Sequence, residues 1–142
     1  MSARKEPLKS YKKFFGAEGE RLAAKYLESR GYTCVCKNFT TRRGEIDLIF
    51  RKDQTLAFCE VKTMTEDSVK EFGRAANKVT PEKMRRIALT AQLFLERNRS
   101  FFADCTPRFD VLEVTICRTH ANIRHTKNAF PAPAVFIKKR LF

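Results

Sequence analysis

Two short stretches of the chain carry residue types that could do chemistry together, Gly44-Glu45-Ile46-Asp47-Leu48-Ile49 and Cys59-Glu60-Val61-Lys62. Both read as strands, and the turn-like Arg51-Lys52-Asp53-Gln54 separates them. Side chains alternate faces along a strand, so Glu60 and Lys62 share one. A two-residue turn at Lys52 and Asp53 pairs Phe50 with Thr55. Continuing that register sets Asp47 opposite Phe58 and diagonal to Glu60, with all three polar groups on one face. Diagonal neighbours lie roughly 7 to 8 Å apart at the backbone, a gap two carboxylates can close around one cation.

Two carboxylates on an otherwise apolar face repel each other and lose hydration, and Lys62 neutralises only one of them. A hard divalent ion, Mg²⁺ or Mn²⁺, suits the oxygen donors of Asp47 and Glu60. Held there, it would polarise a phosphodiester, while Lys62 positions the attacking water or steadies the developing charge. The competing interpretation is an exposed hairpin bearing a Glu and Lys pair with no function. Leu56 and Phe58 share the face of Glu60, however, and covered carboxylates need a reason to be there.

The elements that must position these groups follow from periodicity. A helix is expected from Phe15 to Arg30, with Ala17, Glu20, Ala23, Ala24 and Leu27 on one side and Gly31 as its cap. Glu20 then either completes the metal site from the packed side or sits partly exposed near the helix start. Tyr32 to Phe39, Glu45 to Phe50 and Thr55 to Lys62 read as an antiparallel meander. Thr80-Pro81 starts a second helix, whose stripe Met84, Ile87, Ala88, Ala91, Phe94 and Leu95 runs to about Asn98. A fourth strand spans Arg108 to Ile116, and Asp110 within it reads as structural. No firm structure is assigned from Arg118 onward.

The 142 residues fit one domain. With 29 Lys and Arg against 16 Asp and Glu, the formal charge is +13, which points to nucleic acid as partner. Arg42 and Arg43, in the turn before the site, and Lys83, Arg85 and Arg86, on the polar side of the second helix, could grip phosphates or merely be solvated. No apolar run approaches the roughly 18 to 20 residues of a spanning helix, and the start shows no secretory pattern, so no membrane role and a cytoplasmic location are expected. Five cysteines at irregular spacing argue against a disulfide framework. His120 and His125 are isolated and read as surface residues.

Gly16-Ala17-Glu18-Gly19-Glu20, Gly31-Tyr32, Asn38-Phe39, Gly44 to Ile49, Glu60-Val61-Lys62, Lys83, Arg108 to Val111 and Asn128-Ala129-Phe130 together resemble the YraN-like family of uncharacterised bacterial proteins, which is similar to Holliday-junction resolvases and restriction-endonuclease-like nucleases. The resemblance covers residues 16 to 130. It implies an α/β fold with a restriction-endonuclease-like αβββαβ core, a mixed sheet flanked by helices. It further implies metal binding by Asp47 and Glu60, catalytic assistance from Lys62, and a helix carboxylate at Glu20. Ile46 replaces the proline of the broader nuclease signature, and Met64 stands where an arginine is frequent. The implied activity is metal-dependent endonuclease cleavage of structured or branched DNA, with a homodimer if the chain resolves four-way junctions. A non-catalytic nucleic-acid-binding accessory role is the alternative. The expected organisation is a basic tail over 1–14, the nuclease-like domain over 15–130 and a basic extension over 131–142.

Overall fold

In the computed structural model of the chain, which describes residues 8–73 and 79–131, five strands form one mixed sheet in the order β1-β2-β3-β4-β5. The Lys138-Lys139-Arg140 run and the first seven residues lie outside the described residues. Helix α1 spans Leu8–Ser29, so part of the stretch expected as a tail is helical. The residues after Pro7 are mostly good helix formers, with no glycine before Gly16. The helix ends where Gly31 turns to a φ of 90° and the Tyr32 N–H returns to the Leu27 carbonyl at 3.0 Å.

Strands β1 (Thr33–Thr41), β2 (Gly44–Lys52) and β3 (Thr55–Thr65) make the expected meander. The hairpin register differs from the expected one. Lys52 pairs with Thr55 and Leu48 with Cys59, so the two-residue turn is Asp53-Gln54. Asp53 takes a φ of 53°, a left-handed conformation that a short polar side chain tolerates. Continued by one pair, this register sets Asp47 directly opposite Glu60 instead of diagonal to it. A slip of two residues preserves which face each side chain occupies, so the shared face survives the correction.

Helix α2 (Glu66–Phe72) follows β3, capped by the Thr65 hydroxyl, which accepts the Ser68 N–H at 3.1 Å. Helix α3 (Pro81–Arg97) begins as expected, with Thr80 Oγ1 accepting the Lys83 N–H at 3.2 Å, and it buries Ile87, Ala88, Ala91, Phe94 and Leu95. As a crossover it returns the chain to β4 (Thr106–Ile116), which pairs with β3 in parallel from Thr55↔Thr106 to Thr65↔Ile116. Strand β5 (Ala121–Thr126) closes the sheet against β4. The α1-β1-β2-β3-α3-β4 order is the αβββαβ core.

The sheet is covered on both faces. Ile49, Leu56, Phe58 and Phe109 pack with α3, whereas Leu48, Phe50, Leu112 and Val114 pack with Ala23, Ala24 and Leu27 of α1. Central β3 is therefore buried continuously from Leu56 to Glu60, as a doubly covered strand must be. Asp110 is fully buried and structural, as expected: it accepts two hydrogen bonds from Arg108, lies 2.8 Å from His125 Nε2 and accepts the Asn128 N–H at 3.0 Å. His125 is thus not a surface residue, its side chain being 4 % exposed, while His120 is. The bond to Asn128, whose φ is 54°, pins the following strap, so that Phe130 stacks on Phe109 at 5.0 Å.

Candidate functional site

An open cleft of about 530 Å³ lies between the start of β2, the middle of β3 and the first turns of α3, lined among others by Glu45, Asp47, Glu60, Lys62, Lys83 and Arg86. Its floor is made by a change of phase in β2. Strict alternation would put Ile46 and Leu48 on one face, yet Ile46 packs on the α3 side and Leu48 on the α1 side. The backbone pairing of β2 with β3 ends at Leu48↔Cys59. Beyond it, Asp47 Oδ2 accepts the Val61 N–H at 2.8 Å, taking the place of a ladder carbonyl. A carboxylate that fills a gap in a sheet has its position fixed by the backbone.

Asp47 and Glu60 are 8 % and 5 % exposed. Burial, with the nearby charge of Glu60, pushes the Asp47 carboxyl up to about 8, against the Val61 bond that favours its ionised form. Asp47 is thereby biased towards its protonated form. Glu60 Oε1 meets two ammonium groups, Lys83 Nζ at 2.5 Å and Lys62 Nζ at 3.5 Å. Burial and the adjacent Lys83 lower the pKa of Lys62. Burial works most strongly against the charge on Lys83, but the hydrogen bond and charge of Glu60, with Lys62 and Asp47, together outweigh it and raise its pKa.

Glu20 reaches the site from α1 because of Gly19. A Cβ at position 19 would overlap the Thr63 hydroxyl, so only glycine lets the helix approach β3 this closely. Burial, together with the charges of Glu45 and Glu60, raises the pKa of Glu20. Among the described residues no group of three acidic, His or Cys side chains stands as a metal cluster, and the charge of Glu20 bears on Asp47 from the helix side. The two convergent carboxylates of Asp47 and Glu60 fit a hard divalent ion that keeps several waters, as Mg²⁺ does.

The other anticipated residues divide. Arg86 lines the cleft while pairing with Glu82 at 2.7 Å. Arg42 and Arg43 are exposed in the turn that leads to Gly44 and do not line the cleft themselves. Lys83, anticipated only as a phosphate contact, stands on Glu60 inside the cleft. Met64 is buried, which removes that position from any phosphate contact. Glu45 was not anticipated in the site; its place immediately before Ile46-Asp47 was the available signal.

The mixed sheet and its carboxylate and lysine cleft define an α/β protein with an acidic floor and a basic rim. The chain belongs to the family described as uncharacterised protein family UPF0102, whose model matches residues 19–114. It is 42 % identical over 113 residues to the UPF0102 protein of Dichelobacter nodosus, covering 80 % of this chain and 86 % of the relative. To the relative from Syntrophomonas wolfei it is 38 % identical over 115 residues, covering 81 % and 96 %. To that from Alkaliphilus oremlandii it is 39 % identical over 118 residues, covering 83 % and 98 %. Among the described residues no helix is long and apolar enough to cross a membrane.

Proposed function

We propose that the chain is a metal-dependent endonuclease that hydrolyses phosphodiester bonds in structured or branched DNA. The observation that carries this reading is the Asp47 and Glu60 pair, almost fully buried yet open to a cleft whose mouth holds Lys62, Lys83 and Arg86. Burying two carboxylates side by side destabilises a fold, and function is what offsets such a cost. Mg²⁺ or Mn²⁺ held by Asp47 and Glu60 would supply Lewis-acid polarisation of the scissile phosphate. Asp47 is aimed by the Val61 N–H, and the charge of Glu20 bears on it from the helix side. Lys62 projects from the same strand as Glu60, two residues on, where it can hold the attacking water or the developing negative charge. Arg42, Arg43 and Arg86 supply phosphate contacts around the cleft, in keeping with the net charge of +13.

A second reading, a non-catalytic nucleic-acid-binding accessory protein, draws on one observation: Glu60 is already paired with two lysines of its own chain. The two readings separate when labelled four-way junction, flap, duplex and single-stranded DNA are incubated with Mg²⁺ or Mn²⁺ while binding is followed in parallel. Cleavage by the wild type that Asp47→Ala and Lys62→Ala abolish without weakening binding supports the nuclease. Binding by all three proteins with no cleavage under either metal contradicts it.

A further inference from the structure

Helix periodicity puts Lys83 on the polar side of α3, and the crossover brings the first turn of that helix to the cleft, where Lys83 stands on Glu60. The two lysines at this carboxylate differ in freedom. Lys62 rises from the middle of β3 with 23 % of its side chain exposed, whereas Lys83 reaches in from the rim with 44 % exposed. Both approach the same oxygen, Oε1, and Lys83 stands closer, at 2.5 Å against 3.5 Å.

A divalent ion bound to a carboxylate sits about 2 Å from the oxygen it shares. An ammonium 2.5 Å from that oxygen would then lie no more than about 4.5 Å from the ion. Charges of +2 and +1 at that separation repel even where one of them is partly hydrated, so the ion and Lys83 compete for Glu60. Lys83 is the group able to leave, having a long exposed stem and a rim position beside Gly44, Thr80 and Arg86.

Resting on the nuclease reading, we infer that Lys83 holds the cation position at Glu60 until a divalent ion replaces it, and then turns outward to a phosphate of the nucleic acid. One side chain thereby couples the two binding events: the metal frees a phosphate contact, and a bound phosphate keeps Lys83 away from the metal site. Coupling is reciprocal, so each ligand tightens the other.

The test is Mn²⁺ titration followed by electron paramagnetic resonance on wild type, Lys83→Met and Asp47→Ala without nucleic acid. A companion measurement takes junction-DNA affinity with and without Ca²⁺. Lys83→Met is expected to bind Mn²⁺ about tenfold more tightly than wild type, and to lose most of the gain in DNA affinity that Ca²⁺ gives the wild type. Unchanged or weaker Mn²⁺ binding by Lys83→Met, or a Ca²⁺ gain that persists in it, overturns the inference and leaves the nuclease reading standing. Mn²⁺ binding absent from wild type and Lys83→Met alike overturns both.

Discussion

Replacing Asp47 by Asn should make the metal-free protein more stable, and the size of the effect follows from the proton that Asp47 keeps. An unfolded Asp ionises near 3.9, whereas in the fold burial and the charge of Glu60 hold the carboxyl at about 8. Between those values the native state binds a proton that the unfolded state does not, so stability is full below about pH 4 and falls as pH rises towards 8. The slope is roughly 1.4 kcal/mol per pH unit, reaching roughly 4 kcal/mol at pH 7 if nothing relaxes. Asn carries no ionisation cost, its carbonyl can accept the Val61 N–H, and its amide can donate to Glu60. After relaxation, the expected gain at pH 7 is about 1 to 3 kcal/mol, with none at pH 4. Urea unfolding in EDTA from pH 4 to 8.5 reads this directly. Mg²⁺ should flatten the wild-type pH dependence, because an ion between the carboxylates replaces the proton. Equal stability of the two proteins at every pH, or a loss in Asp47→Asn at pH 8, would refute the reasoning.

Two other perturbations test how the site is held. Gly19→Ala should cost about 1 to 3 kcal/mol and displace Glu20 from Asp47, and adding Thr63→Ala should recover part of the loss in thermal unfolding, since the added Cβ meets the Thr63 side chain. Asp110→Asn should cost about 2 to 4 kcal/mol at pH 7 by removing the buried charge opposite Arg108 and replacing one of the two acceptor oxygens with an amide donor. Burial alone would raise Asp110, but the His125 and Arg108 hydrogen bonds and the Asn128 N–H hold it below the ordinary carboxylate value. Its stabilisation is therefore complete above about pH 4 and is lost as pH falls through the depressed native value. The gap between wild type and Asp110→Asn in chemical unfolding should close in acid.

The sharing of one face by Asp47, Glu60 and Lys62 was legible because strand parity survives the two-residue register slip that a one-residue shift of the turn produces. Placing the turn at Lys52 and Asp53 instead of Asp53 and Gln54 changed the partner of Asp47 without changing its side. The break in alternation between Ile46 and Leu48 was not legible, since it depends on a ladder that ends against the Val61 N–H. Helix α3 announced itself through Thr80-Pro81 and a long apolar stripe. Helix α2 had its cap at Thr65 and acidic residues at Glu66 and Asp67, but it buries none of its residues and so leaves no stripe. Strand β5 alternates in burial, but it is a short edge strand with mostly polar residues, and missing it left His125 without its partner Asp110. The position of Lys83 on Glu60 is tertiary: helical spacing assigns its side of α3, and only the crossover brings that side over β3.

The most direct test of the central claim is single-turnover cleavage of four-way junction DNA with Mn²⁺, comparing wild type with Asp47→Asn at matched binding. Wild type is expected to cleave, and Asp47→Asn, the same variant that gains stability, to do so at a rate at least about 10³-fold lower. Cleavage at equal rates, or no cleavage by the wild type of any structured DNA, would contradict the claim.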